Sequence, residues 1–212
     1  MDNNQISVNT FDKLALRYED KYMDLAMYAD TFDSFINHLP TDDARVLELA
    51  CGPGNITKML LSEKPNLSIL ATDLAPNMLL LAKKNNPRIE VLQLDSRHLS
   101  KVTERFDAIM CGFCLPYLDR DEAIALIDAA AERLNPQGIL YLSTMEGECP
   151  KVREDTSSDG DKVYTYFHHA EQLVPALSRR GFKLLALKRK QQLSPIGEVT
   201  DLFITARLDS DD

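Results

Sequence analysis

The sequence contains no apolar run approaching the roughly 20 residues that a helix needs to cross a bilayer. Its opening MDNNQISVNT has neither a basic start nor an apolar stretch, so no secretory signal is expected. A cytoplasmic protein with no membrane partner is the resulting expectation. Positive charge is also in short supply: 24 Lys and Arg stand against 33 Asp and Glu, a net charge of -9. An acidic surface repels phosphate backbones, so no nucleic acid partner is expected. The one basic cluster, Lys188, Arg189 and Lys190, reads as a solvated strand end. Cysteine is sparse, and Cys51, Cys111, Cys114 and Cys149 are scattered. Disulfides are not expected in a reducing compartment. Cys111 and Cys114 form a C-x-x-C that would suit zinc or a redox pair. A second ligand pair at zinc spacing is missing, so no metal is expected and the thiols read as buried hydrophobes. Repeats and low-complexity tracts are absent.

What is present is ordinary for a packed globular chain. The hydrophobic share is 44%, with 8 Gly and 10 Pro in 212 residues. One layered core with a flanking lid, a single domain over 1–212, is the economical expectation. Short apolar runs of strand type alternate with stretches of helical spacing, which argues for parallel βαβ units. Residues 1–40 read as an N-terminal helical lid, helical from about Thr10 to Leu39 with a break near Asp30 and Thr31. A core over 45–208 follows. Strands are expected at Arg45–Ala50, Leu67–Thr72, Ile89–Leu94, Phe106–Cys111 and Ile139–Thr144, with helices at Asn55–Glu63, Pro76–Lys84, Asp121–Leu134 and Ala170–Arg180. Asn135 to Gly138 should stop the third of these helices, and the polar stretch from Glu146 reads as a long surface loop, with 146–168 as a substrate or lid segment. Phe182–Lys190 and Val199–Leu208 are separated by too few residues for a crossover helix, so they should pair antiparallel.

In an open α/β sheet, ligands bind beyond the carboxyl ends of the strands. Here those ends carry small or acidic residues. Gly52 and Gly54 follow the first strand, where they allow close approach to a ligand and present amides at a helix start. Asp73 follows the second strand, about 20 residues beyond that loop, where an acid accepts ribose hydroxyls. Asp95 and Ser96 follow the third. Taken singly, the glycines make an ordinary tight turn and the two acids are helix caps; taken together, the three strand ends favour one ligand site. A dinucleotide fingerprint would need a third glycine, and Thr57 occupies that slot. Glu48, inside an apolar strand, requires a partner. It suits the ammonium of an amino-acid ligand, directly or by ordering the glycine loop.

The segment E-L-A-C-G-P-G-N at 48–55 resembles the first motif of class I S-adenosylmethionine-dependent methyltransferases, small-molecule type. Asp73-Leu74-Ala75-Pro76-Asn77-Met78 is similar to that family's second motif, Asp95-Ser96 to the pair that reads the adenine edge, and Phe106 to Cys111 with Gly112-Phe113 to its fourth motif. The resemblance implies a Rossmann-like α/β fold with seven strands in the order 3-2-1-4-5-7-6, strand 7 antiparallel. It implies S-adenosylmethionine as cofactor, S-adenosylhomocysteine as product, and a small-molecule O, N, S or C nucleophile as acceptor, in a monomer or homodimer. The implied cofactor residues are Glu48, Ala50, Cys51, Gly52 and Gly54, then Asp73, Leu74 and Met78, then Asp95, Ser96, Cys111 and Phe113. Phe11, Asp12, Ala15 and Tyr18 resemble the family's lid, so that Tyr18 either reaches the methionine end of the cofactor or packs the core. Methyl transfer asks mainly for alignment, desolvation and sometimes a base. Tyr117 reads as a base or a pocket wall, and His168 and His169 as a base or a surface helix start. The N/D-P-P-Y signature of amide and base-nitrogen methylation is missing at 113–116. Two further classes stay open: a binding or regulatory protein that keeps the pocket without turnover, and a nicotinamide oxidoreductase, which Thr57 and Glu48 disfavour.

Overall fold

The apolar runs become strands because β-branched and leucine-rich segments of four to six residues, bounded by turns, can bury both faces only inside a sheet covered by helices. The computed structural model describes residues 2–147, 152–194 and 197–209. Its strands are β1 (Arg45–Leu49), β2 (Ser68–Asp73), β3 (Glu90–Gln93), β4 (Phe106–Cys111), β5 (Leu134–Glu146), β6 (Val152–Thr156), β7 (Lys162–Tyr166), β8 (Phe182–Ser194) and β9 (Gly197–Leu208). Seven of them form one sheet in the order β3-β2-β1-β4-β5-β9-β8, in which β9 runs antiparallel to both neighbours. This is the expected order, with β8 and β9 as its sixth and seventh strands.

The helices are α1 (Asn3–Lys13), α2 (Ala15–Tyr22), α3 (Ala29–Asn37), α4 (Asn55–Glu63), α5 (Pro76–Asn85), α6 (Arg120–Arg133) and α7 (Ala170–Arg179). Strand side chains alternate between faces. Leu47, Leu49 and Ile109 pack with Leu126 and Ile127 of α6 and Leu173 and Leu177 of α7. Val46, Ala71 and Met110 face Phe32 and Phe35 of α3, Leu60 of α4 and Leu79 of α5. The result is a three-layer sandwich. α1 and α2 belong to neither outer layer. They lie across the carboxyl ends of the strands, where Val8, Phe11 and Ala15 meet Ala75, Met78 and Leu81.

Several expectations need correction. The N-terminal segment breaks at Leu14 and again at Met23–Leu25, while Asp30 and Thr31 lie inside α3. Asp30 is an acid in a first helical turn, where the macrodipole favours it, so it marks a beginning and not a break. The stretch after Glu146 is not a structureless loop, because β6 and β7 pair as an antiparallel hairpin. Its turn holds Gly160 at φ +82°, and Asp159-Gly160 between β-branched and aromatic residues is the hairpin signal that its polarity hid. Asn135 to Gly138 fall within β5, with Gln137 at φ +64° bending the strand. β3 is a solvated edge strand, all four residues exposed. Cys149 lies outside the described residues.

One contact fixes the distance between two helices behind the sheet ends. Gly54 has φ +81°, and a Cβ there would collide with Asn86 Nδ2 and stand 3.0 Å from Ala82 Cα on α5. Gly54→Ala is therefore expected to destabilise the fold by about 2–3 kcal/mol, combining a left-handed non-glycine residue with overpacking. In thermal unfolding this should lower the midpoint by roughly 5–10 °C; an unchanged midpoint would show that α5 yields without cost.

Candidate functional site

The corner after β1 is built from left-handed backbone. Ala50 (φ +51°), Gly52 (φ +54°) and Gly54 (φ +81°) alternate with ordinary residues. A non-glycine residue in this conformation costs about 1–2 kcal/mol and persists only where its surroundings over-determine it. Here the backbone is pinned, with Cys51 N donating to Thr72 O at 2.8 Å and Gly52 N to Asp73 Oδ2 at 2.9 Å. From outside, Asn85 Nδ2 donates to Pro53 O and Asn86 Nδ2 to Gly54 O, each at 2.9 Å. Gly54 thus packs helices and does not line the cleft, whereas Gly52 does. Cys51 is buried beneath the loop, and that burial pushes its thiol well up.

Glu48 sits under the same corner. Thr57 Oγ1 donates to its Oε2, and Oε1 has no partner among the described residues. Thr57, which the sequence marks only as the missing third glycine, is thus the partner that Glu48 requires. Burial pushes the Glu48 carboxyl up to about 8, with Thr57 hydrogen bonds opposing and Asp73 reinforcing the shift. The side chain orders the start of α4 and does not line the cleft.

Asp73 at the tip of β2 accepts Gly52 N on Oδ2 and, at 2.8 Å, Ala75 N on Oδ1. Enclosure raises its carboxyl above the usual range, against the pull of the Ala75, Gly52 and Leu74 amides. Asp95 behaves oppositely. Burial alone would raise it, yet Arg97 wins and holds it below the usual range. Both Asp95 oxygens accept Arg97 donors, between 2.7 and 3.0 Å. The same guanidinium reaches Asp2 Oδ2 at 2.9 Å and Glu122 Oε1 at 3.2 Å.

Over these strand ends lies the cap. Ser7, Val8 and Phe11 on one face of α1, together with Tyr18 of α2, cover a cleft of about 730 Å³, space open to solvent included. Phe11 meets Tyr18 and Tyr117 edge-on, with ring centroids at 5.8 and 4.9 Å. The β6–β7 hairpin braces α1: Tyr164 N donates to Ser7 Oγ at 2.9 Å, and Thr10 Oγ1 to Lys162 O at 2.7 Å. Asp12 Oδ1 accepts Asn77 N at 2.7 Å, fastening the far end of α1 to α5.

The far wall comes from the end of β4. A Cβ on Gly112 would collide with Ile56 Cδ1, and Phe113 takes φ +51° with its amide donating to Ser143 Oγ at 2.8 Å. Tyr28 seats on this wall, its ring 5.4 Å from Phe113 and its hydroxyl donating to Asp201 Oδ2 at 2.9 Å. Burial raises the phenols of Tyr18 and Tyr117.

The cleft brings together ten of the candidate cofactor and catalytic residues: Tyr18, Ala50, Gly52, Asp73, Leu74, Met78, Asp95, Ser96, Phe113 and Tyr117. Glu48, Cys51, Gly54 and Cys111 form the layer behind it. His168 and His169 stand outside. His168 is buried, 1% exposed, with Nε2 between Leu115 O (3.0 Å) and Leu118 O (3.1 Å). Burial lowers its pKa, so the neutral ring donates a proton-bearing Nε2 to that turn and is neither a surface residue nor a cleft base. His169 precedes α7 and stands with Glu146 and Glu171, where the Glu146 carboxylate is already held by Arg189. Sequence reasoning missed Asn4, Ser7, Val8 and Leu94 on the cleft wall. The 3–4 spacing of Asn4, Ser7, Val8 and Phe11 was the available signal.

Residues 46–138 match a family described as "Methyltransferase domain". The chain is 33% identical over 97 residues, 46% of its length and 36% of the other's, to a trans-aconitate 2-methyltransferase of Methylobacterium nodulans. It is 30% identical over 119 residues, 53% of its length and 46% of the other's, to a ubiquinone biosynthesis O-methyltransferase of Xylella fastidiosa. These matches span less than half the length of either relative. A tRNA N(3)-methylcytidine methyltransferase of Schizosaccharomyces pombe is 23% identical over 204 residues, 86% of this chain and 82% of its own. Among solved structures, the DhpI–SAH complex superposes with a TM-score of 0.75 at 17% identity, covering 99% of this chain and 98% of that one.

The pH dependence of folding follows from Glu48. Its carboxyl ionises near about 8 in the fold and near 4.5 when exposed, so between those values the folded state holds a proton that the unfolded chain has lost. Stability should therefore fall as pH rises through this window, by up to about 1.4 kcal/mol per unit from this group, and level off above it. Denaturant unfolding from pH 5 to 9 should show a shallower decline for Glu48→Gln than for the parent; parallel curves would mean that Glu48 is ionised in the fold.

Proposed function

We propose that this chain, which carries a class I methyltransferase fold with residues 46–138 as its matching domain, is an enzyme that transfers the methyl group of S-adenosylmethionine to a small molecule. The observation that carries this is the convergence of Asp73, Gly52 and Ser96 from three successive strand ends on one capped cleft. The fit rests on this chain's own groups. Each Asp73 oxygen takes one backbone amide and keeps acceptor capacity for the two hydroxyls of a ribose. Gly52 leaves bare backbone beneath Tyr18, where a Cβ would stand 3.7 Å from its ring. Leu74 and Met78 offer apolar flanks for a base.

Bound S-adenosylmethionine supplies an electrophilic methyl group on a sulfonium. The rings of Phe11, Tyr18 and Tyr117 exclude water, and the end of β4 at Phe113 borders the space open to an acceptor. No imidazole, lysine or arginine lines the cleft among the described residues, and the two phenols hold their protons. The acceptor must therefore bring its own nucleophile, and a carboxylate or a free amine fits best.

A nucleic acid acceptor is disfavoured. The chain is acidic, and its one basic cluster is spent internally, with Lys188 and Lys190 on Asp30 and Arg189 on Glu146. The activity is assigned to the cytoplasm, which the unpaired buried thiols of Cys51, Cys111 and Cys114 support, in a monomer or homodimer.

Calorimetry with S-adenosylhomocysteine should give a single site, and Asp73→Ala should weaken it on the order of 100-fold, the loss of two hydrogen bonds to a charged acceptor. With methyl-labelled S-adenosylmethionine, label should enter a metabolite extract below about 1 kDa and not total tRNA. Absence of binding at millimolar ligand sinks the proposal; binding without transfer to any pool leaves a regulatory protein.

A further inference from the structure

The cap contributes one polar atom whose state is unusual. Asn4, in the first turn of α1, donates from Nδ2 to the backbone carbonyl of Tyr117 at 3.0 Å. A carbonyl can only accept, so this contact fixes which way the amide points. The other end, Oδ1, is buried without a partner among the described residues, and Asn4 lines the cleft. A buried acceptor left unpaired is destabilising, because it gives up its hydrogen bond to water and gains none in return. Such an atom on the wall of a ligand cleft is explained by a donor on the ligand.

Location says which part of the ligand. The same turn of α1 is fastened to the loop after β3, because Asp2, its N-cap, pairs with Arg97, and Arg97 grips Asp95. Asn4 therefore lies on the part of the cap fastened beside Asp95, and its partner Tyr117 belongs to the turn whose Cys114 touches Ser96. The carboxylate there is not free for a ligand donor: Asp95 Oδ1 accepts Arg97 N and Nε, and Oδ2 accepts Nε and Nη2. The acceptor left over is on the cap.

We infer that Asn4 Oδ1 accepts a hydrogen bond from the exocyclic amino group of the cofactor's adenine, so that the N-terminal cap is itself part of base recognition. The inference rests on the S-adenosylmethionine reading above. It makes α1 a specificity element as well as a cover, with Arg97 setting its position against the base.

The test compares two ligands on the intact chain by calorimetry: S-adenosylhomocysteine, whose adenine carries a 6-amino donor, and S-inosylhomocysteine, whose base carries a 6-oxo acceptor. The parent should prefer the amino ligand by about tenfold or more, since one unsatisfied polar group separates the two. In Asn4→Ala and Asn4→Leu, that preference should shrink by about fivefold or more, through weaker binding of the amino ligand. Loosening of the cap as a whole would weaken both ligands alike, so an unchanged preference overturns the inference even if both affinities fall. A parent that binds neither ligand at millimolar concentration overturns the cofactor assignment and this inference with it, whereas binding with a preference indifferent to Asn4 overturns this inference alone.

Discussion

The carboxylate of Asp73 accepts Gly52 N on one oxygen and Ala75 N on the other, and by doing so it joins the loops after β1 and β2 into a single rigid edge. Much else depends on that junction. The left-handed corner at Ala50 to Gly54 is costly as a free peptide and is held in part because the Gly52 amide has this partner. α4 starts from the corner, and Thr57 one turn in secures the Glu48 carboxyl behind it. α5 starts from the other loop and returns Asn85 and Asn86 to the outer side of the corner. Two strand ends, two helices and a strained turn thus share one acceptor.

The cap is attached on a different principle. α1 and α2 bury few large apolar side chains of their own, and Leu16 stays 65% exposed. Their position is set by polar fastenings at separate points: Asp2 to Arg97, Thr10 to the hairpin, Asp12 to Asn77. Exposed ion pairs contribute little to stability, but Arg97 is 19% exposed and serves three carboxylates at once. It converts the loop after β3, the start of α6 and the start of α1 into one unit.

The architecture was legible in the sequence because the short apolar runs of the strands and the acid or glycine at the first three strand ends report the same thing from independent positions. The face carrying the cleft follows from the strand ends, the antiparallel closing pair from the short link before Val199, and the sheet order from the resemblance of the motifs at 48–55, 73–78 and 95–96. The hairpin was hidden by its charge: Arg153, Glu154 and Asp155 look like a loop because their strand buries its alternate positions only partly. His168 was misjudged for a related reason, whereas His169 does stand at a helix start. His168 looks like a candidate base because imidazole titrates near neutrality, yet its neighbours Leu115 and Leu118 lie some 50 residues away in sequence and offer two carbonyls that no local pattern announces. Thr57 was visible only as a missing glycine. That a hydroxyl in that slot could answer the acid nine residues earlier requires the helix to be folded back on the strand. Asn4 was missed because the helix was expected to begin near Thr10, so its first turn was never placed over the cleft.

Charge distribution decides between the ligands that such a fold can take. A nucleotide diphosphate needs unclaimed amides or cations at the glycine corner, and here the Gly52 amide is already given to Asp73, while the cleft wall holds no lysine, arginine or histidine among the described residues. The acids tell the same story from the other side. Asp73 is raised by its enclosure, with Asp12 adding to the shift, and Glu48 is raised further by Asp73. Burial is the larger cause in both, so ionising either carboxyl here is costly. A cation entering the cleft lowers that cost, whereas an anion adds to it. A ligand with a sulfonium and an ammonium against one carboxylate is net positive, so enclosing it beside the Asp73 carboxylate favours an adenosyl amino acid over a dinucleotide.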